Sequence, residues 1–293
     1  MRIRGSVTWI TGGSSGIGAA LAQELSRRGA RVAVTARRAA LLAASLGEVR
    51  AVPGDVREPE ALKAAVAAVQ ADAGPIDLAV LNAAIWAQVD VREWDSALIR
   101  DHVASNFMGM VNSLDAILPG MIARRSGTIV GVASVAGYRG YTRAEAYGPS
   151  KAAEINLLES LGIDLAPLSI DVQLVNPGFV RTPLTERNDF PMPFMIEAPD
   201  AARRIADAIE QGKAEAVFPL PYRIGMKLVR LAPIRLYTAV SRPFAEAGEV
   251  SRPPGPASRR PTGRGCRRAA PRARRSRSPW EPSRAPPGRA TCP

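Results

Sequence analysis

Three side chains in the middle of the chain have the chemical types and the spacing of an acid–base site. Tyr147 and Lys151 are four residues apart in the run Y-G-P-S-K, and Ser134 precedes the tyrosine by thirteen residues. A spacing of four places two side chains on one face of a helix, one turn apart. An ammonium group beside a phenol favours the phenolate and moves its pKa, ordinarily near ~10, towards neutrality. Such a tyrosine can exchange a proton with a carbonyl or alcohol oxygen.

Taken alone, the pair is more typical of an exposed helix on which the tyrosine and the lysine share no role. Pro149 lies between them and would disrupt a helix interior. It is compatible with a helix that begins near Tyr147, because the first turn of a helix needs no backbone donor at that position. The surrounding elements therefore decide between the two interpretations.

Short apolar runs alternate along the chain with longer segments that are rich in Ala and Leu. The candidate strands are Val7–Thr11, Arg31–Ala36, Val49–Val52, Ile76–Asn82, Thr128–Ala133, Ile170–Asn176 and Ala216–Phe218. The candidate helices are Ile17–Arg28, Glu58–Ala73, Asp101–Leu118, Tyr147–Leu165 and Asp200–Gln211. Strands joined by helices of this length predict a doubly wound α/β fold, in which helices cover both faces of a parallel Rossmann sheet.

A glycine-rich turn, T-G-G-S-S-G-I-G, follows the first candidate strand and extends from Thr11 to Gly18. Glycines allow the backbone to turn tightly and to approach a pyrophosphate, and the helix that follows directs free N–H groups and a positive dipole at the anion. A plain turn would look similar. Because this turn opens a series of βαβ units, the motif predicts a dinucleotide site.

The residues after the second candidate strand bear on the choice of cofactor. An acidic residue at that strand end would bind the ribose 2′-hydroxyl of NAD and repel a 2′-phosphate. Here Ala36 ends the strand, and Arg37 and Arg38 follow it. A guanidinium group suits a phosphate, so the sequence favours NADP(H) over NAD(H). The alternative is that both arginines only open a solvated helix.

The charge of the chain is concentrated at its C-terminal end. Residues 245–293 hold 12 Arg and 3 Glu, and so carry +9 of the formal net charge of +12. They consist mostly of Arg, Pro, Ala, Gly and Ser, which cannot build a packed core, so we predict a disordered tail after a catalytic domain at 1–244. The tail could bind nucleic acid electrostatically, but it lacks interleaved aromatic residues, and we expect no specific nucleic-acid site.

Few residues are available for a thiol or metal site. Both cysteines, Cys266 and Cys292, lie in the tail, and His102 is the single histidine. This excludes a disulfide framework and argues against a metal site or a histidine triad, and we expect His102 to be an ordinary, partly exposed helical residue. The chain shows neither an apolar run of about 18 residues nor a signal peptide, so we expect a cytoplasmic protein.

The motifs of residues 6–240 resemble those of the short-chain dehydrogenase/reductase family in its single-domain form. In chain order they are T-G-x-x-x-G-x-G from Thr11 to Gly18, Asp55-Val56, Asn82-Ala83-Ala84, Asn106 in N-F-M-G, Ser134, Tyr147 with Lys151, and Pro177-Gly178 with Thr182. Ala84 replaces the glycine that is usual in the family. Each motif could occur by chance, but all of them in this order and at these spacings could not.

The resemblance implies a role for each of these residues. Ser134 would hydrogen-bond the substrate oxygen, Tyr147 would donate or accept its proton, and Lys151 would bind the nicotinamide ribose and lower the tyrosine pKa. Asn106 would hold a water that links Lys151 to solvent. The implied cofactor contacts are Thr11, Gly12, Ser14, Ser15, Gly16, Ile17, Gly18, Arg37, Asp55, Val56, Asn82, Ala83, Tyr147, Lys151, Pro177, Gly178, Val180 and Thr182. Family members often pair through the helices that hold Asn106 and Tyr147, which implies a homodimer or homotetramer.

Two later segments concern the substrate and possible partners. Leu184–Ile196 is rich in Phe, Met and Pro; in the family this region covers the substrate, which favours a hydrophobic alcohol, ketone or aldehyde, although the same side chains could simply pack on the domain. Arg223–Val240 is basic and amphipathic. We expect it to pack on the domain or on a partner subunit, with peripheral membrane contact as the alternative.

The sequence thus predicts an NADP(H)-dependent oxidoreductase that transfers hydride between nicotinamide and a carbonyl or alcohol. One rival is a non-catalytic sensor or scaffold of the same fold, and intact Ser134, Tyr147 and Lys151 argue against it. A second rival is a protein that binds nucleic acid through its tail. The identity of the substrate and the direction of the reaction stay open at this stage.

Overall fold

Short runs rich in Val, Ile, Leu and Ala form the strands of one central parallel sheet. The computed structural model describes residues 1–37, 49–186 and 188–250. The strands of this sheet are β1 (Val7–Thr11), β2 (Arg31–Ala36), β3 (Arg50–Pro53), β4 (Leu78–Leu81), β5 (Gly127–Val132), β6 (Ile170–Pro177) and β9 (Glu215–Phe218). They pair in the order β3-β2-β1-β4-β5-β6-β9. β7 (Val180–Arg181) and β8 (Ile196–Glu197) form a separate parallel pair.

Helices cover both faces of the sheet. They are α1 (Gly16–Arg27), α2 (Pro59–Ala73), α3 (Ser96–His102), α4 (Met108–Arg124), α5 (Tyr147–Leu165), α6 (Ala198–Glu210), α7 (Leu220–Leu231) and α8 (Ile234–Val250). Successive side chains of a strand point to opposite faces, so Ile10 of β1 packs in the core with α1 and α6, and Trp9 packs with α2, α4 and α5. The predicted doubly wound α/β fold is therefore confirmed.

The order of the strands places a crevice where the cofactor was expected. Chain order runs outward from β1 in both directions, through β2 and β3 on one side and through β4, β5 and β6 on the other. In such sheets a ligand binds at the carboxyl ends of the strands beside this reversal. Thr11 and Leu81 are paired across β1 and β4. The glycine turn and Asn82 consequently leave the sheet side by side.

The helices around the site differ in detail from those expected. The segment predicted as one helix at 101–118 is α3 and α4, joined by a π-helical turn at Val103–Phe107. A helix that begins at Tyr147 is confirmed, with Pro149 in its first turn. The expected domain boundary at 244/245 lies within α8, which continues to Val250. That division stays a prediction, because residues 251–293 lie outside the described part of the chain.

One face of α7 packs on the domain and the other does not. Met226 is buried and accepts a hydrogen bond from the Tyr141 hydroxyl. Ile224, Leu228 and Leu231 are 58%, 66% and 82% exposed. The expectation that the basic stretch at 223–240 packs on the domain holds for the inner face alone. No helix within the described residues is long and apolar enough to cross a membrane.

Candidate active site

The turn between β1 and α1 leaves no room for side chains at two of its glycines. Gly12 has a φ of +70°, and a Cβ built on it would lie 2.5 Å from the Cα of Ala83. A Cβ on Gly18 would lie 2.4 Å from the carbonyl oxygen of Gly12. Both separations are shorter than real Cβ contacts, so the turn, α1 and the loop after β4 can approach this closely only with glycine.

Polar contacts tie this turn to the loop after β4. The backbone N–H of Asn82 donates to the Thr11 hydroxyl at 3.1 Å. The Asn82 side-chain amide donates to the carbonyl oxygens of Thr11 and Gly12, at 3.2 and 3.0 Å. Thr11 is buried. Thr11, Asn82 and Gly18 therefore shape the backbone of the turn.

An open cavity of about 470 Å³ lies at this edge of the sheet. Among the residues predicted to bind cofactor, its lining includes Gly12, Ser14, Ser15, Gly16, Ile17, Arg37, Asp55, Val56, Asn82, Ala83 and Thr182. The lining combines backbone of the glycine turn, one guanidinium at the end of β2 and a carboxylate after β3. This donor set fits a dinucleotide: N–H groups and the start of α1 suit a pyrophosphate, and Arg37 suits a further phosphate. Arg38 lies outside the described residues.

Pro177, Gly178 and Val180, which were also predicted to contact the cofactor, lie at or just after the end of β6 and are not part of the cavity lining. The Pro177 carbonyl accepts a hydrogen bond from Ser134 at 3.5 Å. The Gly178 N–H donates to the Phe218 carbonyl, and a Cβ on Gly178 would lie 2.6 Å from the Tyr222 ring. The Val180 side chain packs in the core with α6. Any contact of Val180 with a cofactor must therefore come from its backbone.

Tyr147, Ser134 and Trp86 meet at the start of α5. Ser134 follows β5, and its hydroxyl accepts a hydrogen bond from the Ala136 N–H at 3.1 Å. It also interacts with the Tyr147 phenol and favours the phenolate. The Trp86 ring packs edge-on against the Tyr147 ring, with 5.2 Å between centroids and 77° between planes. Because Trp86 also lines the cavity, it connects the cavity to the phenol.

The Lys151 ammonium is buried beside a carboxylate that the sequence motifs did not single out. Lys151 Nζ donates to the two Glu154 carboxylate oxygens at 2.9 and 3.1 Å, and to the Val132 carbonyl at 3.2 Å. The side chains of Lys151 and Glu154 are 2% and 0% exposed. Lys151 Nζ also lies 5.6 Å from the centroid of the Tyr147 ring. The spacing of four thus brings tyrosine and lysine together as predicted, but the lysine already has a counter-charge.

The charge of Lys151 is one of several influences on the pKa of Tyr147, and they act in opposite directions. Burial of the phenol raises the pKa of Tyr147, the Lys151 charge lowers it, and the Glu154 charge raises it again. The net direction is upward. The predicted effect of the Lys151 charge on the phenol is therefore present, but burial and the Glu154 charge together outweigh it in the net direction.

Asn106 connects three elements through its side chain. It lies fully buried in the π-helical turn, where its Oδ1 accepts from the Ile85 N–H at 2.8 Å. Its Nδ2 donates to the Ile85 carbonyl at 3.1 Å and to the Ser150 hydroxyl at 3.0 Å. Asn106 therefore holds the loop after β4 against α5. Its role in binding a water stays a prediction.

His102 is not the partly exposed residue that we expected. It is fully buried, its Nε2 accepts from the Ala87 N–H at 3.0 Å, and its Nδ1 lies 2.8 Å from the Leu98 carbonyl. Since a carbonyl only accepts, Nδ1 carries the proton and the ring is neutral. Burial lowers the pKa of His102. The residue holds the loop after β4 in place, and among the described residues no cluster of metal ligands includes it.

The segment expected to cover the substrate is joined to that same loop. The Trp86 Nε1 donates to the Asn188 Oδ1 at 2.7 Å. Asp189 Oδ1 accepts from Gln88 Nε2 at 3.0 Å and from Arg143 Nη1 at 2.9 Å. Farther along, the Phe179 and Phe190 rings lie 6.0 Å apart. These contacts tie the segment to the loop that carries Trp86, whose ring packs on Tyr147.

Comparison with known proteins agrees with this geometry. Residues 6–190 match the short chain dehydrogenase family. The chain belongs to this family. A Myxococcus xanthus protein named "Uncharacterized oxidoreductase" is 36% identical over 240 residues, which are 80% of this chain and 95% of that protein.

Two solved structures of the family show the same architecture. A short chain dehydrogenase from Burkholderia cenocepacia, in complex with NADP, has a TM-score of 0.73 and 26% identity, and the match covers 82% of this chain and 98% of that one. A 3-ketoacyl-(acyl-carrier-protein) reductase from Brucella melitensis, complexed with NADH, has a TM-score of 0.68 and 25% identity, with 73% and 96% covered. The family comprises oxidoreductases with a nicotinamide dinucleotide cofactor, which the cavity fits.

The structure places at the candidate site three residues that the sequence motifs did not include. Arg57 lines the cavity, and its Nε donates to the Ser105 hydroxyl at 2.7 Å. Trp86 follows the Asn82-Ala83-Ala84 motif by two residues, and Glu154 follows Lys151 by three. The position of Glu154 beside the pair was predictable from the sequence, since residues 147, 151 and 154 share one helical face. The burial of Glu154 was not predictable from the sequence, because an acidic residue on a helix is usually exposed to solvent.

Proposed function

We propose that this chain is an NADP(H)-dependent oxidoreductase that interconverts a hydrophobic carbonyl compound and the corresponding alcohol. The observation that carries the proposal is the contact between Trp86, which lines the dinucleotide cavity, and Tyr147, which has Ser134 and Lys151 beside it. A substrate oxygen in front of Tyr147 would thus lie next to the cavity. When bound, the nicotinamide supplies or accepts the hydride.

The residues of the chain handle the oxygen of the substrate and its proton. In reduction, the Ser134 hydroxyl stabilises the negative charge that develops on the substrate oxygen, and Tyr147 donates its phenolic proton to that oxygen. The phenolate that remains is stabilised by the Lys151 ammonium. In oxidation the same proton moves from the alcohol to the phenolate. Ser134 and the Lys151 charge both favour the phenolate, which is the product of proton donation in reduction and the base in oxidation.

Arg37 supports the phosphorylated cofactor over NAD(H). It lines the cavity directly after β2, the position at which an acidic residue would bind the ribose of NAD. A guanidinium there is complementary to a 2′-phosphate and has no acceptor for a ribose hydroxyl. Both cofactor forms occur in the related structures, so the preference of this chain rests on Arg37.

Apolar side chains of the cavity lining and of the segment after β6 support a substrate with an apolar body. Trp86 and Leu184 line the cavity, and Phe179 and Phe190 pack together in the segment that follows β6. Apolar and aromatic walls with a few convergent polar groups are typical of sites for small hydrophobic ligands. The substrate class that fits is a ketone or aldehyde whose polar group reaches Ser134 and Tyr147.

The Tyr147→Phe variant tests this function directly. The variant keeps the ring that packs on Trp86 and loses only the hydroxyl, so fold and NADPH binding should be retained. Loss of a general acid of this kind costs about 10²–10⁴-fold in rate. We expect kcat to fall by that factor in NADPH-coupled reduction of a carbonyl panel, while the Kd for NADPH, measured by fluorescence, changes little.

A matched control is Tyr237→Phe, which removes a hydroxyl that bonds to the Gly140 carbonyl and leaves kcat unchanged. Near-normal turnover in Tyr147→Phe contradicts the assignment. A wild-type protein that binds NADPH but reduces no carbonyl on a broad panel supports the rival sensor function. Pairing into a dimer or tetramer, a cytoplasmic location and nucleic-acid binding by the tail stay predictions.

A further inference from the structure

A fully buried carboxylate, Glu154, lies against the active-site lysine and has no place in the proposed chemistry. Both of its oxygens lie within 3.1 Å of Lys151 Nζ, and its side chain is 0% exposed. An ionised carboxylate is removed from water at a large free-energy cost unless it is paired. The sequence places this carboxylate three residues after the lysine, on the face that also carries the tyrosine.

The pair changes what Lys151 can do for Tyr147. An ammonium group has three donor hydrogens, and here its acceptors are the two Glu154 oxygens and the Val132 carbonyl. Glu154 therefore fixes the direction of the lysine side chain. Its negative charge also offsets the positive charge that would otherwise stabilise a phenolate at Tyr147.

We propose that Glu154 is a positioning residue that holds the Lys151 ammonium in place and offsets its charge, so that the lysine stabilises a phenolate at Tyr147 less than an unpaired ammonium would and the site suits carbonyl reduction better than alcohol oxidation. The inference rests on the proposed function and adds the direction to it. In reduction the Tyr147 O–H bond breaks, its proton joins the substrate oxygen as hydride joins the carbonyl carbon, and the phenolate regains a proton from solvent. Oxidation instead needs the phenolate at the outset.

Electrostatic directions agree with this arrangement. Burial raises the pKa of Tyr147, and Glu154 raises it further against the opposing effect of Lys151. Burial works against the charged form of Lys151, but Glu154 more than compensates, so the pKa of Lys151 is raised. Burial also raises the pKa of Glu154, and Lys151 opposes that rise. The three groups therefore titrate as one coupled unit.

Other charged groups on the surrounding elements do not supply this effect. Besides Tyr147, Lys151 and Glu154, the titratable side chains of α5 and of the elements packed on it are Arg100, Asp101, His102, Glu159, Asp164 and Asp171, and Tyr138 directly follows the short turn at Val135–Gly137. The influences on the pKa of Tyr147 come from burial, Lys151, Glu154 and Ser134. Glu154 is thus the negative charge that a substitution can remove to change the tyrosine.

The test compares full-length Glu154→Gln, Glu154→Asp and Glu159→Gln with the wild type. Glu159 lies on the same helix, is about half exposed and pairs with Arg230, so Glu159→Gln is a matched removal of charge outside the site. In Glu154→Gln, the pH at which alcohol oxidation reaches half its maximum should fall by ~1 unit, because the charge that opposes Lys151 is gone. Glu154→Asp and Glu159→Gln should keep the wild-type profile. A Glu154→Gln protein with intact NADPH binding and an unshifted profile overturns the inference.

A second measurement needs no turnover and no variant of Glu154. Ring-labelled tyrosine in the full-length wild type is titrated by NMR, and the Tyr147 signal is identified by its absence in Tyr147→Phe. The inference expects the Tyr147 phenol to titrate above the ordinary value of 10.0. Titration below that value overturns it, even if Glu154→Gln does not fold. Absence of carbonyl reduction by the wild type would instead contradict the proposed function, so the two failures are distinguishable.

Discussion

Replacing Gly18 by alanine tests whether the turn after β1 is shaped for a dinucleotide. An added Cβ would lie 2.4 Å from the Gly12 carbonyl oxygen and 2.5 Å from the Asn82 Nδ2. Those two atoms belong to the 3.0 Å hydrogen bond that ties the turn to the loop after β4. Ordinary contact begins at 3.4 Å, so the turn must open by about 1 Å to admit the methyl group.

The structure sets the size of the expected effect. Overpacking of this kind lowers the free energy of unfolding by about 1–3 kcal/mol. In a domain of this size each kcal/mol lowers the Tm by about 2–4 °C. Movement of the turn also displaces the N–H groups that would face a pyrophosphate. We therefore expect Gly18→Ala to lower the Tm and to weaken NADPH binding by about tenfold or more, as ~1.4 kcal/mol of lost binding would produce.

Fluorescence titration with NADPH and thermal unfolding measure the two effects separately. Gly140→Ala is the matched control, because a Cβ at Gly140 would meet no atom within 4 Å. That variant should match the wild type in both assays. A Gly18→Ala protein with wild-type affinity for NADPH would refute the assignment of the turn as the dinucleotide site, whatever its Tm.

Two further predictions concern Arg37 and His102. Arg37→Asp should move the ratio of kcat/KM for NADPH over NADH towards NADH, because a carboxylate at the end of β2 repels a 2′-phosphate and accepts from a ribose hydroxyl; an unchanged ratio contradicts the preference for NADP(H). Since burial lowers the pKa of His102 below 6.5, the unfolded chain binds a proton at this residue that the folded chain does not. The neutral, buried His102 therefore makes its full contribution to the free energy of unfolding above pH 6.5. Below pH 6.5 the free energy of unfolding decreases, by up to ~1.4 kcal/mol for each pH unit. Urea unfolding across this range should show that decline in the wild type and a shallower one in His102→Asn; equal slopes contradict it.

The fold was predictable because its signals are local and repeated. Most strands of the sheet contain a short apolar run, and the helices between strands have the length of a crossover, so the bounds of β1, β2 and α5 were predicted to the residue. The glycine turn was predictable because Gly12 and Gly18 are needed by close backbone approach, which no other residue allows.

Features that depend on tertiary packing were not predictable. In the π-helical turn at Val103–Phe107, Asn106 makes hydrogen bonds with Ile85 and Ser150, neither of which is near it in sequence. His102 was expected to be partly exposed, but it is buried, and the hydrogen bond from the Ala87 N–H satisfies its ring nitrogen there. Such long-range partners have no periodic or compositional signature in the chain.

The Tyr–Lys spacing predicts that the two side chains lie close together but does not predict the pKa of the tyrosine. Helical geometry alone guarantees that Tyr147 and Lys151 share a face, so the motif correctly predicts their proximity. The pKa of the phenol depends instead on the whole charge balance around it, and in this chain that balance includes a carboxylate at position 154. A spacing of four therefore indicates a candidate acid–base residue without fixing its protonation state. Under the proposed mechanism that state decides which direction of reaction is ready at neutral pH, so we expect the residue three positions after the lysine to carry functional information that the motif does not.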